Sequence, residues 1–323
     1  MKAVVAEGGR IKIRHIPFPQ ILENEVLIKV LKAGICNTDL ELAKGYMNFQ
    51  GVLGHEFVGK IVQGPKKGWV GKRIVGEINL PCGDCEFCRA GITNHCLSRK
   101  VLGIHNKKGA FTEYLTLPLE NCHLLPQSIS DEEGIFVEPL AASLEIFEQI
   151  RIRRQDSVLV QGDGKLGLLI AQIMKLKTEK VFCIGKYERK LNILKKRGVQ
   201  TLFKGERIYE KFDVVVEATG NKGGIEEALV LTKPRGTIVL KSTFHGLARI
   251  DISKTVVDEI KLIGSRCGPF PKAIDILREG LVDVKEMVDG DFALEKAPQA
   301  FSFARKSGTM KVLITPQNNG DKG

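Results

Sequence analysis

Residues 157–175 read SVLVQGDGKLGLLIAQIMK, and this stretch decides the fold class of the chain. A short apolar run leads into Gly162, Gly164 and Gly167, whose spacing is G-x-G-x-x-G, and a helix-like run follows them. In dinucleotide-binding units the first glycine permits a tight turn, the second lets the backbone approach a pyrophosphate, and the third lets helix and strand pack closely. A glycine-rich turn without a ligand would show the same spacing, so the surrounding pattern has to distinguish the two.

From about residue 130 the surrounding pattern alternates strands with helices. The strand-like runs are SVLVQG, KVFCIG, FDVVVEATG, RGTIVLKS and KLIGSRCG, and the helix-like runs are LGLLIAQIMKLK, RKLNILKKRG and GGIEEALVLT. This alternation predicts βαβ units, and therefore an α/β fold with a doubly wound parallel sheet. In that setting the turn predicts a dinucleotide site. Its expected contacts are Gly162, Gly164, Lys165, Leu166 and Gly167.

The end of the second predicted strand bears on which dinucleotide binds. In NAD-binding units an acidic residue at this position holds the ribose hydroxyls, but here the position is Gly185. Lys186 and Arg189 follow, and two cations can pair with a ribose phosphate. The pattern therefore favours NADP over NAD. NAD stays open, because both cations could be surface charges on a loop that tolerates either cofactor.

The rest of the chain has a different character. Residues 1 to about 125 contain short β-type runs, VLIKVLKAGI, FVGKIV, KRIVGEI and FTEYLTL, separated by glycine and proline. The end of the chain contains one helix-like run, PKAIDILREG, and a final strand-like run, MKVLI. The last residues, QNNGDKG at 317–323, are expected to fray.

Bulk composition limits the class of protein. A length of 323 residues is more than one core usually serves, and 43% hydrophobic with 27% charged residues is typical of a globular protein. No apolar run approaches the ~20 residues of a membrane span, and the start lacks the features of a secretory signal. The net charge of +11 is spread along the chain among glutamates. We therefore expect a cytoplasmic protein with solvated basic faces, and neither nucleic acid nor a membrane as its partner.

Four cysteines fall within residues 82–96, CGDCEFCRAGITNHC. Four thiolates fill a tetrahedral zinc ion and leave no position for substrate, so this pattern predicts a closed structural zinc site. A nucleic-acid finger or a redox switch would be a different interpretation. A nucleic-acid binder would carry a basic stripe around the four cysteines. Here Asp84 and Glu86 lie inside the cluster, and Arg89 is the only cation between its ends. The predicted ligands are Cys82, Cys85, Cys88 and Cys96.

A second set of metal-binding residue types is scattered. Cys36 lies in AGICNTDLEL, His55 and Glu56 lie in VLGHEFVGKIV, and Glu138 lies in FVEPLAASLEIF. Each is ordinary when taken alone. Together they offer one sulfur, one nitrogen and carboxylate oxygens, and three such ligands with an open position form a catalytic zinc site.

These motifs, in this order over nearly the whole chain, resemble the zinc-containing medium-chain dehydrogenase/reductase superfamily, in particular its alcohol and polyol dehydrogenases. The matching residues are Cys36 with Thr38 and Asp39, GHE at 54–56, the four cysteines, VEPLA at 137–141 and GDGKLG at 162–167. The resemblance implies a GroES-like β-rich catalytic domain at 1–135 with a zinc lobe at 80–97. A Rossmann cofactor domain at 136–268 and a C-terminal segment at 269–323 that completes the catalytic domain would follow. Members are commonly homodimers or homotetramers.

The resemblance also implies roles for single residues. Cys36, His55 and Glu138 would bind the catalytic zinc, with Glu56 as the alternative carboxylate. Asp39 would orient the His55 ring. The hydroxyl of Thr38 would hand on the alcohol proton. Glu41 stands where many alcohol dehydrogenases have a relay histidine, and the expected cofactor contacts extend to Ala218, Thr219, Ser242 and Ser265.

The implied activity is zinc-assisted hydride transfer between an alcohol, polyol or sugar, or the matching carbonyl, and a nicotinamide cofactor. A zinc-binding redox sensor or nucleic-acid-binding protein on the same fold is the alternative, but it would not need Cys36, His55 and Glu138. A zinc-free reductase of the quinone type is disfavoured, because such relatives lack these ligands. An inert relative with an intact cofactor fold stays open.

Overall fold

The computed structural model describes residues 1–243 and 246–316, so the predicted frayed end at 317–323 lies outside the described residues. The strands are β1 (Lys2–Glu7), β2 (Arg10–His15), β3 (Glu25–Gly34), β4 (Gly51–Val52), β5 (Glu56–Gln63), β6 (Arg73–Gly76), β7 (Asn79–Leu80), β8 (Lys100–Leu102), β9 (Asn106–Lys107), β10 (Tyr114–Pro118), β11 (Cys122–Leu124), β12 (Val158–Gln161), β13 (Val181–Gly185), β14 (Gln200–Phe203), β15 (Phe212–Glu217), β16 (Thr232–Leu240), β17 (Lys261–Gly264), β18 (Val288–Ala293) and β19 (Lys311–Thr315). The helices are α1 (Asn37–Ala43), α2 (Glu86–Arg89), α3 (Asp131–Gly134), α4 (Val137–Gln149), α5 (Lys165–Lys175), α6 (Glu188–Lys195), α7 (Gly224–Leu231), α8 (Ile252–Val257), α9 (Phe270–Arg278) and α10 (Ala297–Ala304).

The chain forms two compact units. The first comprises Met1–Glu138 and the segment from Met287 onward, and the second comprises Pro139–Glu286. The resemblance implies a boundary at 268 between the cofactor domain and the C-terminal segment, whereas the two compact units divide after Glu286. The reason is that α9 and the turn after it bond to the second unit. Asp283, for example, exchanges two backbone hydrogen bonds with the side chain of Gln172, at 2.7 and 3.0 Å.

The second unit contains a six-stranded sheet in the order β14-β13-β12-β15-β16-β17, and every pair in it is parallel. Its inner strands are continuous apolar runs because they are buried on both faces, as in the VLV of β12 and the VVV of β15. This confirms the predicted doubly wound fold. The strand order reverses between β12 and β15, and in such sheets ligands bind at the carboxyl ends of the strands beside that reversal.

The first unit is β-rich, as the GroES-like prediction requires. Its largest sheet has seven strands, ordered β11-β6-β5-β3-β19-β18, with β10 paired to β3. β3 lies between β5 and β19, so a strand from the C-terminal segment is built into the N-terminal sheet. The helix α10, which the sequence pattern does not predict, packs near this added strand.

None of the helices within 1–243 and 246–316 is long and apolar enough to cross a membrane.

Candidate metal centres and cofactor turn

Three metal-binding side chains converge in the first unit. Cys36 lies just beyond the end of β3, and Glu56 begins β5, where it pairs with Gly34 in the ladder between the two strands. This register brings the ligand atoms of Cys36, His55 and Glu56 within 4.8 Å of one another. His55 and Glu56 are buried, at 3% and 1% exposure. Cys36 is half-buried. One sulfur, one nitrogen and one oxygen donor at this separation fit a zinc ion.

Asp39 holds the Cys36 and His55 turns in place through hydrogen bonds to their backbone. Its carboxylate is fully buried, and it accepts hydrogen bonds from the backbone N–H of Cys36 at 2.9 Å and from that of Gly54 at 3.1 Å. The same carboxylate lies 3.3 Å from Nδ1 of His55, an ion-pair distance that lacks the alignment of a hydrogen bond. Burial lowers the pKa of His55, but the Asp39 charge and the Cys36 sulfur raise it well above its ordinary value. Asp39 therefore ties both ligand-bearing turns together.

Glu56 has a partner that the sequence pattern does not predict. Its Oε2 is paired with Nζ of Lys311, and both side chains are 1% exposed. Lys311 begins β19, on the other side of β3, and its ammonium lies 5.4 Å from the ring centroid of Phe136. Gly34 leaves space for Ile135 and for this pair, because a Cβ there would lie 2.4 Å from Cγ2 of Ile135, 2.9 Å from Oε2 of Glu56 and 3.1 Å from Cδ of Lys311. The only sequence signal is a lysine at the start of an apolar strand.

The remaining predicted residues of this centre lie as follows. Glu138 is half-buried in the first turn of α4, and among the described residues it does not belong to the group of mutually close ligand atoms, where Glu56 is found instead. Thr38 lies in the first turn of α1, with Oγ1 3.8 Å from the sulfur of Cys36. Glu41 is 46% exposed and forms an ion pair with Lys44 at 2.7 Å.

The four cysteines of residues 82–96 form a separate group, with their sulfurs within 4.8 Å of one another. The Sγ–Sγ distances are 3.5 Å for Cys85 and Cys88 and 3.9 Å for Cys82 and Cys88. A tetrahedral zinc with bonds of ~2.3 Å requires ligand separations of ~3.8 Å, whereas a disulfide requires ~2.0 Å. Backbone N–H groups of Leu97 and Cys88 lower the pKa of Cys85 to about 6, whereas the Asp84 side chain raises the pKa of Cys82 to about 12 and burial raises the pKa of Cys88. The group fits a structural zinc ion.

Cys88→Ser is expected to lower stability and zinc content together, because one of four ligands is lost from a closed site. We expect the content to fall by one zinc per chain and the thermal midpoint to fall by at least about 5 °C. Metal analysis and thermal unfolding measure these quantities. Cys267→Ser is the control, since Cys267 belongs to neither cysteine-containing metal group. Full zinc content in the Cys88 variant would contradict the assignment.

In the second unit each glycine of the turn after β12 has an identifiable reason. Gly162 has φ +111°, and a Cβ there would lie 2.6 Å from the carbonyl oxygen of Ala218. A Cβ on Gly167 would lie 1.9 Å from the carbonyl oxygen of Gly162, so helix and strand pack there without a side chain between them. A Cβ on Gly164 would meet nothing within 4 Å, and this residue caps the N-terminus of α5. An open backbone at a helix N-terminus fits a pyrophosphate.

The other predicted cofactor residues lie at the carboxyl edge of the same sheet. Ala218 and Thr219 follow β15, Ser242 follows β16, and Ser265 follows β17. The hydroxyl of Ser242 accepts a hydrogen bond from the backbone N–H of Gly220 at 2.8 Å, so the ends of β15 and β16 are linked. These positions form one edge beside the glycine-rich turn.

The end of β13 shows a feature that sequence reasoning missed. Gly185 ends the strand, and Lys186 and Arg189 follow it as exposed residues. The side chain of Asp163, from the glycine-rich turn, lies against Gly185. Its Oδ2 accepts hydrogen bonds from the backbone N–H groups of Lys186 and Tyr187, each at 2.8 Å. A carboxylate is therefore present at this strand end, although the strand itself does not supply it.

Comparison with known proteins agrees with both units. Residues 22–127 match the alcohol dehydrogenase GroES-like domain, and residues 165–279 match the zinc-binding dehydrogenase domain. Sorbitol dehydrogenase from Halalkalibacterium halodurans is 28% identical over 342 residues, which cover 98% of this chain and 99% of that protein.

Two solved structures are similar over 98% of this chain and 99% of theirs, each with a TM-score of 0.89. One is a protein of Sinorhizobium meliloti 1021, assigned as a zinc-binding dehydrogenase and bound to NADP, at 28% identity. The other is the alcohol dehydrogenase rspB of Escherichia coli CFT073 in complex with NADH, at 26% identity. With its two matched domains, its parallel cofactor sheet and its two groups of metal-binding side chains, the chain belongs to the zinc-containing medium-chain dehydrogenase/reductase superfamily.

Proposed function

We propose that this protein is a zinc-dependent oxidoreductase that transfers a hydride between an alcohol, polyol or sugar, or the matching carbonyl, and a nicotinamide cofactor. The observation that carries the proposal is the convergence of Cys36, His55 and Glu56 in the first unit. Three protein ligands leave the fourth position of a tetrahedral zinc open for substrate, whereas the four-cysteine group provides a closed site. The similarity to a sorbitol dehydrogenase supports a polyhydroxylated substrate.

The residues of the first unit have distinct tasks in this proposal. When bound by Cys36 and His55 with a glutamate, zinc would polarise the substrate oxygen. Asp39 holds the two ligand-bearing turns at a fixed separation through its bonds to Cys36 and Gly54. Thr38 places a hydroxyl beside the Cys36 sulfur, where it can accept the proton of an alcohol and pass it on. Glu56 is the favoured carboxylate ligand, and Glu138 is the alternative.

We further propose that NADP is preferred to NAD. The strand end at Gly185 has no acid of its own, and the exposed side chains of Lys186 and Arg189 can pair with a ribose phosphate. A zinc ion at the four cysteines, a cytoplasmic location and a homodimeric or homotetrameric assembly also belong to the proposal. We also propose that neither nucleic acid nor a membrane is a partner of this protein.

The proposed activity is tested with a panel of alcohols, polyols and aldoses, each with NADP or NAD, by following absorbance at 340 nm. We expect turnover of at least one polyol, with a higher kcat/KM for NADP. Protein treated with a chelator is the control, and added zinc should restore its activity. If no substrate reacted with the zinc-loaded protein and either cofactor, the proposal would be refuted.

A further inference from the structure

We infer that Asp163 is a cofactor-specificity residue: its carboxylate replaces the acid that the end of β13 lacks, contacts the adenosine ribose and opposes a 2′-phosphate. The inference rests on the proposed use of a nicotinamide cofactor and deepens it. It predicts that Asp163 lowers the ratio of NADP to NAD affinity, so that the protein binds NAD as well as NADP.

The first step is steric. A Cβ on Gly185 would lie 2.7 Å from Cβ of Asp163, 2.9 Å from its Cγ and 2.7 Å from Cδ2 of Leu191. No side chain fits at position 185 while Asp163 holds this conformation. The glycine at the strand end and the aspartate in the turn are therefore one arrangement, in which the carboxylate comes from the neighbouring loop.

The second step concerns how firmly the carboxylate is held. Asp163 is only 8% exposed, and two backbone N–H groups, of Lys186 and Tyr187, donate to its Oδ2. These groups lie at the start of α6, where Tyr187 is the N-cap residue. With Oδ2 engaged in this way, Oδ1 is the oxygen that would accept a hydrogen bond from a ribose hydroxyl, the task of the strand-end acid in NAD-binding units.

The third step is electrostatic. A 2′-phosphate needs donors and positive charge, and the two N–H groups at this turn already bond to Asp163. The carboxylate also repels the phosphate, because both are negative. Lys186 and Arg189 act in the opposite direction. The selectivity of the site is therefore a balance between these two cations and Asp163.

The test compares equilibrium binding of NADP and NAD to the full-length, zinc-loaded protein by calorimetry. Asp163→Asn keeps the side-chain shape and removes the charge. We expect the ratio of NADP to NAD affinity to rise about tenfold. NAD loses the carboxylate that accepts a hydrogen bond from its ribose, and NADP loses the repulsion between that carboxylate and its 2′-phosphate. Glu210→Gln, an exposed acid just before β15 at the opposite end of the strands, is the matched control and should leave the ratio unchanged.

A second variant distinguishes an effect on nucleotide recognition from an effect on folding of the turn. D163G/G185D moves the acid to the strand end, where the clash with Asp163 no longer exists and only the end of the Leu191 side chain has to shift. Compared with D163G, it should regain NAD affinity and lose NADP affinity. If Asp163→Asn weakened the binding of both nucleotides equally, or changed the binding of neither, Asp163 would only hold the turn. The inference would then be overturned, and the proposed function would stand. If the wild-type protein bound neither nucleotide, the proposed function would fail, and this inference with it.

Discussion

Cys36→Ser is expected to abolish turnover while the protein still folds and binds its nucleotide. The thiolate is one of three converging donors, and a serine hydroxyl is a poor replacement for it on zinc. We expect the zinc content to fall from two ions per chain to one, and kcat/KM to fall at least about 10³-fold, since polarisation of the substrate oxygen is lost. Metal analysis, steady-state kinetics and nucleotide titration measure the three quantities.

The pattern across variants separates the two metal groups. Cys88→Ser should remove the other zinc and lower stability, whereas Cys36→Ser should remove activity with little change in the unfolding midpoint. Cys267→Ser should keep both ions and full activity. If the Cys36 variant retained two zinc ions, or turned over substrate at the wild-type rate, Cys36 would not be a ligand of a catalytic metal.

The parts of this protein that could be predicted from sequence are those encoded over short distances. The four cysteines of the lobe lie within fifteen residues, and the glycines of the cofactor turn lie within six. In each case local spacing almost determines the geometry, so the motif alone indicates the chemistry. The apolar runs of the parallel sheet are equally local signals, because both faces of each inner strand are buried.

Local spacing could not predict which glutamate joins Cys36 and His55. Glu56 and Glu138 are both compatible with the sequence pattern. The structure brings Glu56 to Cys36 and His55 because it pairs with Gly34 across the ladder of β3 and β5. That register depends on strand pairing between distant segments, which residue types alone do not specify. The metal content of Glu56→Gln and Glu138→Gln variants would show which carboxylate binds.

Asp163 and Lys311 were missed for related reasons. Asp163 occupies a variable position of the glycine fingerprint, so no spacing rule draws attention to it. Its significance arises only when β13 lies parallel to β12 and brings Gly185 beside it. Lys311 is distant in sequence from Glu56, and the two meet only because β19 joins the sheet next to β3. Long-range pairing therefore creates both contacts.

Lys311→Met is expected to destabilise the zinc-free protein far more than the zinc-loaded one. Methionine has a similar length but no charge, so Glu56 would be left as a buried carboxylate without its partner. Breaking a buried ion pair from one side costs about 3–5 kcal/mol in the free energy of unfolding. If zinc binds Glu56, it supplies a second positive charge, and the loss should then be clearly smaller. Urea unfolding with and without a chelator measures both values.

The wild-type protein under the same two conditions corrects for the zinc of the four-cysteine lobe, since its loss affects both proteins alike. Adding Glu56→Gln to Lys311→Met removes the remaining charge, and we expect it to recover at least about half of the lost stability in the zinc-free state. Glutamine and methionine are close in size to the glutamate and lysine that they replace, so we expect the double variant to retain the surrounding packing. Equal destabilisation by Lys311→Met with and without zinc, with recovery in the double variant, would mean that zinc does not bind Glu56. Equal destabilisation with no recovery in the double variant would mean that Lys311 acts through packing alone. In that case Lys311 does not balance the charge of a carboxylate that zinc can also bind.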